Sequence, residues 1–275
     1  MKKTKFKPSK KVIALGCVAG VLLVLLIGML VILSQQEEPV VETKPTETTA
    51  PTETSSETTE PTTEEPSTDP VDTEPVMLEH MADLYAKNPD IVAWIEIPDT
   101  KLDYPVMYTP SQPSKYLYRD FDCNFTATGI PYIDNLCSVN PESDNIIIYG
   151  HNMTGSGGGF NAITKYTTQE FYEKHPTVTV TTLYEERTYE VVAAFYDRIY
   201  EDGHEGFLYY RFINAYTEED FIEAAAYYRA HSEIDTGIEL NYGDKLITLS
   251  TCSHHTTDGR FVVIARLVED TPETP

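Results

Sequence analysis

An uninterrupted apolar stretch, Val12 to Leu33, most constrains how this chain of 275 residues can fold. A helix of these 22 residues spans about 33 Å, which is enough to cross a bilayer core of about 30 Å. Acidic residues follow the stretch, and six lysines precede it, namely Lys2, Lys3, Lys5, Lys7, Lys10 and Lys11. The length and hydropathy of this stretch therefore predict a membrane helix at 12–33. The positive-inside rule predicts its orientation, with residues 1–11 cytoplasmic and the remainder outside the cell.

A cleaved signal peptide is the alternative interpretation of the N-terminus, since it has the same charged start. The apolar stretch is longer than an ordinary signal core, and no small-x-small cleavage site precedes the sequence SQQEEP. These two observations favour an uncleaved anchor, which predicts a single-pass protein of the cell membrane.

Residues 34–76 consist almost wholly of Thr, Glu, Pro and Ser. Because this segment has little apolar surface to bury and its charges are nearly all negative, it is predicted to be a disordered stalk. The aromatic and β-branched content of 77–275 is that of one folded domain. The chain has a net charge of −24, which argues against nucleic acid or anionic lipid as a partner.

Eight short runs rich in β-branched and aromatic residues, separated by turn residues, follow one another in the domain. They lie at 91–97, 102–108, 129–134, 145–151, 177–183, 188–197, 245–252 and 260–268. This pattern predicts a mainly β domain built as a closed or nearly closed eight-stranded barrel. Helices are predicted at 77–87, within 161–175, and after Thr217, whose hydroxyl can cap the sequence EEDFIEAAAYYRA.

Three cysteines lie in the domain. Cys123 and Cys137 share one Asn- and Asp-rich stretch, where they form either a disulfide outside the cell or two buried free thiols. Cys252 differs, because it ends a predicted strand among the polar and ionisable neighbours of TLSTCSHHTTDGR. A buried structural thiol is not expected there, so Cys252 is a candidate nucleophile.

Strand pairing predicts that Arg260 is the neighbour of Cys252. Arg260 opens the strand that follows a seven-residue loop, and an antiparallel hairpin would place the two residues opposite each other, with Cβ atoms about 4.5 to 5.5 Å apart. A guanidinium beside a thiol favours the thiolate and donates hydrogen bonds to an oxyanion. It does not serve as a base, because arginine stays protonated.

A thiol nucleophile that breaks an amide also needs an acid for the leaving amine, and histidine suits that role. His254 and His255 lie in the loop just after Cys252, where their side chains are expected to face solvent. His151 ends the apolar run NIIIYGH beside Gly150, which permits a close backbone approach. We prefer His151 as this acid, because the runs that end at His151 and at Cys252 would bring the two residues together if they pair as parallel strands.

The motifs TLSTC and GRFVVIARLV, with YGHNM well before them, resemble the sortase family, membrane-anchored cysteine transpeptidases of Gram-positive bacteria. The resemblance extends over nearly all of 77–275. The segments NPDIVAWIEIPDTKLDYPVMY and KYLYRDFD, and the helix-bearing insertion that ends in DTGIELNYGDKLITLSTC, are most similar to class B sortases. One departure is SHH at 253–255, where class B members often carry an acidic residue.

This resemblance implies that Cys252 is the nucleophile and His151 the acid/base. Arg260 would stabilise the oxyanion, together with a backbone N–H near Ser253. The peptide groove is expected to be lined by Leu117, Ser250, Thr251 and Ser253. The implied fold is an eight-stranded sortase barrel with an N-terminal helix and an extra helix between strands six and seven. Neither a metal nor another cofactor is expected.

The implied reaction cleaves a C-terminal sorting motif of a secreted protein after Thr, through a thioester, and transfers the protein to an amine. A peptidoglycan precursor or a pilin lysine can supply that amine, so wall anchoring and pilus polymerisation both stay open. Two other classes are weaker candidates. A cell-wall cysteine hydrolase usually has Cys before His in its sequence, and a non-catalytic stalked surface domain leaves Cys252 and Arg260 without a function.

Overall fold

The computed structural model describes residues 75–153 and 159–268, which form a mainly β domain. Its strands are β1 (Ile91–Glu96), β2 (Asp103–Met107), β3 (Tyr132–Ile133), β4 (Asn145–Tyr149), β5 (Thr177–Thr182), β6 (Glu186–Arg198), β7 (Leu246–Cys252) and β8 (Gly259–Leu267). The helices of this part of the chain are α1 (Glu79–Lys87), α2 (Gln169–Lys174) and α3 (Glu218–His231), with the 3-10 helices η1 (Lys115–Tyr118), η2 (Gly159–Thr167) and η3 (Tyr209–Arg211). The prediction of eight strands is confirmed.

The strands close into a barrel in the order β1-β2-β3-β4-β7-β8-β6-β5, with β5 paired to β1. Most neighbours are antiparallel, but β2 pairs with β3, and β4 with β7, in parallel. A tight turn cannot join parallel strands, so the chain crosses over from β4 to β7 through η2, α2, β5, β6 and α3. This crossover brings the ends of two sequence-distant strands to one edge of the barrel.

Burial along the strands follows from what covers each face. In β1 the period of two is clear, since Ile91, Ala93 and Ile95 are buried whereas Val92 and Trp94 are partly exposed. β7 and β8 are buried over most of their length, because η2 contacts both strands and α3 shares an apolar cluster with residues of both. The two strands that carry the candidate nucleophile and arginine are therefore anchored in the core.

Helix α3 lies between β6 and β7, as the resemblance implied. Thr217 caps it: the Thr217 hydroxyl accepts the backbone N–H of Asp220, and the Asp220 carboxylate accepts the backbone N–H of Thr217. Phe221 and Tyr228 are buried in an aromatic cluster with Phe195 of β6 and Phe212. The cap and this packing fix the helix against the outside of the barrel.

The single helix expected within 161–175 is divided in two. η2 ends at Thr167 and α2 begins at Gln169, because Thr168 between them has an extended backbone. The Thr168 hydroxyl accepts the backbone N–H of Phe171 at 3.3 Å, which caps α2. The sequence pattern predicts the helical content here but misses this interruption.

Cys123 and Cys137 are free thiols, so the alternative without a disulfide is the one found. Cys137 is buried, and its sulfur accepts the backbone N–H of Ile147 at 3.3 Å. Burial is the main cause that raises the pKa of the Cys137 thiol to about 12, which leaves it protonated and unreactive at neutral pH. Cys123 is only partly buried.

Within 75–153 and 159–268, no helix is long and apolar enough to cross a membrane. The predicted cytoplasmic segment 1–11 and membrane helix 12–33 lie outside the described residues. The predicted stalk 34–76 also lies outside them, apart from Pro75 and Val76, which have no regular secondary structure. These three assignments stay predictions from the sequence.

Candidate active site

The C-terminal ends of β4 and β7 bring two of the predicted site residues to one edge of the barrel. The parallel register pairs Tyr149 with Ser250. His151 follows Tyr149 by two residues, and Cys252 follows Ser250 by two residues, so both leave the paired strands at the same level. Both β4 and β7 are buried over nearly all of their length, which is typical of parallel strands covered on both faces.

The β7–β8 hairpin places Arg260 directly opposite Cys252, as the strand pattern predicts. The guanidinium of Arg260 donates to two backbone carbonyls of its own hairpin, Asp258 at 3.2 Å and Gly259 at 2.9 Å. Cys252 is exposed, whereas Arg260 is partly buried. An accessible thiol and a guanidinium held on a rigid hairpin therefore lie side by side.

A groove of about 260 Å³ runs past this pair. His151, Cys252 and Arg260 all line it, so the fold brings the three predicted catalytic side chains to one cavity. The other lining residues are Leu117, Tyr132, Tyr149, Gly150, Ile199, Ser250 and Thr251. A groove of this kind can hold an extended peptide segment with a carbonyl beside Cys252.

The imidazole of His151 is partly buried and fixed at one nitrogen. Its Nε2 is hydrogen-bonded to the backbone carbonyl of Leu117 at 2.8 Å. The ring also lies beside Tyr118, with 5.5 Å between the ring centroids. His151 therefore has a defined orientation before any substrate enters.

Three of the four predicted groove residues line the cavity, but two of their side chains are engaged with the protein. Ser250 is buried and its hydroxyl is hydrogen-bonded to that of Tyr209 at 2.9 Å. Thr251 is also buried and donates to the carbonyl of Gly150 at 2.6 Å, which ties β7 to the end of β4. Leu117 contributes the carbonyl that binds His151.

Ser253 is not among the residues that line the groove. Its backbone N–H donates to the carbonyl of Gly259 at 2.9 Å, and its hydroxyl is hydrogen-bonded to Nδ1 of His255 at 3.0 Å. The expected contribution of this amide to an oxyanion site is therefore not available as the hairpin stands, because the N–H already closes the β7–β8 loop.

His254 and His255 are exposed on that loop, as expected, and neither lines the groove. The ring of His255 packs against Tyr196, with centroids 4.8 Å apart. In the described part of the chain, no group of three or more His, Cys, Asp or Glu side chains could hold a metal ion.

The wall of the groove includes aromatic residues that the sequence argument did not single out. The rings of Tyr132 and Tyr149 lie 5.8 Å apart. Burial, with a smaller effect from Asp134 and Cys252, raises the pKa of Tyr132 to about 12 against the opposing charge of Arg260. The Tyr132 hydroxyl is therefore protonated at neutral pH and can donate a hydrogen bond into the groove.

Asn152 also went unrecognised in the sequence. Its side-chain amide donates to the backbone carbonyl of Cys252 at 2.8 Å, and its oxygen accepts from the amide of Asn161 at 2.8 Å. The segment that carries His151 is thereby bonded to the backbone of Cys252. Only the position of Asn152 directly after His151 could have drawn attention to it.

The close approach of Gly150 to the ring of Phe160 gives a testable prediction about the position of His151. A Cβ at position 150 would lie 2.4 Å from the ring of Phe160, which is buried. We expect Gly150→Ala to lower the free energy of unfolding by about 1–3 kcal/mol and to displace His151. Any reaction that depends on His151 should slow about ten- to a hundredfold, as measured by product formation, and thermal unfolding measures the loss of stability.

Gly237→Ala is the control for that variant, because a Cβ there meets no atom within 4 Å although the backbone φ is +67°. It should lose stability through backbone strain but keep full activity. Unchanged activity in Gly150→Ala would contradict the claim that this close approach fixes His151.

Comparison with known proteins agrees with this arrangement. The sortase domain family model matches residues 95–268. Sortase B of Staphylococcus aureus (strain NCTC 8325 / PS 47) is 28% identical over 184 residues, which cover 66% of this chain and 72% of that protein. Two solved structures are also similar. The Staphylococcus aureus sortase B–substrate complex has a TM-score of 0.63 at 26% identity and covers 70% of this chain and 86% of that chain. A sortase B complexed with triglycine has a TM-score of 0.60 at 27% identity, with 68% and 84% covered.

Because the family model spans most of the folded domain, this chain belongs to the sortase family. Its similarity to sortase B in sequence and in structure places it in class B, and it is a cysteine transpeptidase. The resemblance inferred from the sequence motifs is thereby confirmed.

Proposed function

We propose that this class B sortase transfers an acyl group through Cys252, with His151 as acid and base and Arg260 as the oxyanion ligand. One observation supports these roles above all. The parallel pair β4–β7 and the antiparallel pair β7–β8 bring a thiol, an imidazole and a guanidinium to one groove from three separate segments of the chain. No role in packing explains an exposed thiol at that position.

In the first half of the reaction, the Cys252 thiolate attacks the carbonyl carbon of a substrate amide. The carbonyl electron pair moves to oxygen, where the guanidinium of Arg260 donates hydrogen bonds to the oxyanion. Nη1 makes both hydrogen bonds to the backbone carbonyls, so the N–H groups of Nη2 and Nε are not used by those bonds. When the oxyanion collapses, the C–N bond breaks, the amine leaves with a proton from His151, and a thioester remains on Cys252.

In the second half, an amine attacks the thioester carbon, and neutral His151 accepts the proton that this amine loses. Collapse of the second oxyanion expels the Cys252 thiolate, so a new amide forms and the enzyme returns to its starting state. The exchange of one amide for another needs no oxidant and no net hydrolysis. A thioester that is attacked by amine before water reaches it distinguishes this transferase from a protease.

The substrate we propose is a secreted protein with a C-terminal sorting motif, cleaved after a Thr in that motif. The acceptor is an amine of a peptidoglycan precursor. A similar sortase B has been solved as a substrate complex and another in complex with triglycine, whose terminal amine is a nucleophile of the required kind. The predicted membrane helix and stalk would hold the domain at the outer membrane face, close to both reactants.

The test is to incubate the full chain with a panel of sorting-motif peptides and either triglycine or a lysine-bearing pilin peptide. Mass spectrometry of the products should show cleavage after Thr and a new amide to triglycine. A product joined only to the lysine side chain would indicate pilus polymerisation instead. Hydrolysis without amide exchange, for every peptide and both amines, would contradict the proposed reaction.

Arg260→Lys separates the charge of the oxyanion ligand from its hydrogen-bonding geometry. Lysine keeps the positive charge but lacks the planar set of donors of a guanidinium. We therefore expect kcat/KM for amide exchange to fall about 10²-fold. Arg266→Lys on the same strand is the matched control, since Arg266 pairs with Glu190 and Asp244 away from the groove. Equal activity in both variants would show that charge alone is sufficient at position 260.

A further inference from the structure

The hydrogen bond between His151 and Leu117 fixes which ring nitrogen carries a proton. Leu117 contributes a backbone carbonyl, which can only accept. Nε2 of His151 must therefore be the donor in this contact. In the neutral imidazole the lone pair is then on Nδ1, so Nδ1 is the nitrogen free to take up a proton.

The Leu117 carbonyl belongs to η1, and the preceding residue, Tyr116, holds η1 in place. Tyr116 is fully buried. Its hydroxyl donates to the carboxylate of Asp90 at 2.7 Å and accepts from the side-chain amide of Asn88 at 2.8 Å. The amide of Asn88 also donates to the carbonyl of Phe121 at 2.6 Å. The turn that binds His151 is thus tied to the junction between α1 and β1.

The charge of Asp90 strengthens this anchor. Burial by itself would raise the pKa of Asp90, but hydrogen bonds from Lys115 and Tyr116 and the charge of Lys115 outweigh it, and the pKa is lowered. Asp90 is therefore ionised at neutral pH. Burial is also the main cause that raises the pKa of Tyr116, so its hydroxyl remains the donor to that carboxylate.

The other side of the turn is packed against backbone. Gly129 has a φ of +52°, and a Cβ there would lie 2.4 Å from the Leu117 carbonyl oxygen. The backbone N–H of Ile130 donates to the carbonyl of Tyr116 at 3.3 Å. The Leu117 carbonyl is therefore confined between the Tyr116 anchor and the chain at Gly129.

We propose that Tyr116, anchored by Asp90, is a positioning residue for acyl transfer: it holds the Leu117 carbonyl on Nε2–H of His151, so that Nδ1 exchanges protons with the reacting amines. This inference rests on the acid/base role proposed above for His151. Nδ1–H of the imidazolium gives its proton to the departing amine, and neutral Nδ1 later takes a proton from the attacking amine. Nε2–H stays on the Leu117 carbonyl through both steps.

Proton and nitrogen NMR of the histidine-labelled full chain tests the tautomer without substrate. At a pH of about 8.5, where histidine side chains are ordinarily neutral, the His151 resonances should be those of the Nε2–H tautomer, with slow exchange of that proton. His151→Gln identifies these resonances. A predominant Nδ1–H tautomer would overturn the proposal whatever the activity of the protein, which separates its failure from a failure of the proposed function.

Tyr116→Phe tests the anchor itself, with Tyr166→Phe as the matched control. Tyr166 is equally buried, and its hydroxyl makes one hydrogen bond, to the carbonyl of His175 at 2.7 Å. We expect Tyr116→Phe to speed exchange of the His151 Nε2 proton and to lower kcat about ten- to a hundredfold, with KM within about twofold of the original. Tyr166→Phe should change neither the exchange of the His151 Nε2 proton nor kcat.

Asp90→Asn is the second variant, and it should show the same changes to a smaller degree. If thermal unfolding shows that Tyr116→Phe does not fold, Asp90→Asn takes its place in both measurements. The positioning role would be refuted if kcat is unchanged in the folded variants. It would also be refuted if kcat falls while the Nε2 proton of His151 exchanges as slowly as before.

Discussion

Cys252→Ala is expected to abolish amide exchange. Without the thiolate no thioester can form, and the remaining groups cannot divide the reaction into two acyl transfers. We expect a loss of about 10⁴-fold or more, down to the rate without enzyme. The measurement is the formation of the amide between a sorting-motif peptide and triglycine, followed by mass spectrometry.

Cys137→Ser is the matched control for this variant. Cys137 is a buried free thiol far along the chain from Cys252, and a serine oxygen can still accept the Ile147 N–H. Some stability should be lost because a hydroxyl replaces a buried sulfur, but activity should remain. Amide exchange that survives in Cys252→Ala would mean that another nucleophile forms the acyl-enzyme.

His151→Ala should have the second largest effect. It removes the group that protonates the leaving amine and deprotonates the attacking one, and such catalysis contributes about 10²- to 10⁴-fold. We expect kcat/KM for amide exchange to fall within this range when the variant is compared with the unmodified chain under the same conditions.

His254→Ala provides the comparison that makes this result specific. His254 is exposed on the β7–β8 loop and does not line the groove, so its removal should leave kcat/KM within about twofold of the original value. Equal losses in the two variants would show that the imidazole two residues after the nucleophile takes part in the reaction, contrary to the roles proposed here.

Much of this site could be predicted from the sequence, because its main contacts follow from strand periodicity. The apolar run before Cys252 and the apolar run after Arg260 predict a hairpin, and the structure pairs these two residues directly. The apolar run that ends near His151 has the composition of a buried parallel strand, and β4 does pair with β7 in parallel. Regular pairing has a fixed register, so residues at strand ends can be placed from their spacing alone.

The contacts that orient the side chains could not be predicted in this way. Leu117 binds His151 through a backbone carbonyl in a short 3-10 turn, and no periodic pattern specifies that contact. Asn152 contacts the carbonyl of Cys252 across 100 residues of sequence. The Ser253 amide was expected to be free, but the turn geometry of the hairpin directs it to Gly259. These details depend on loop conformation, which is set by tertiary contacts rather than by local sequence.

The membrane helix and the stalk rest on a different kind of argument. Length, hydropathy and flanking charge predict the membrane helix, and a composition with little apolar surface and mostly negative charge predicts the stalk. The proposed location at the outer membrane face follows from these two predictions.

The most direct test of the central claim is the intact mass of the full chain during turnover. With a sorting-motif peptide alone, we predict an added mass equal to the acyl part of the peptide, mapped by proteolysis to Cys252. Adding triglycine should remove this adduct and yield the triglycine amide in equal amount. A chain that turns over the peptide with no adduct at Cys252, or whose adduct triglycine does not discharge, would contradict acyl transfer through this residue.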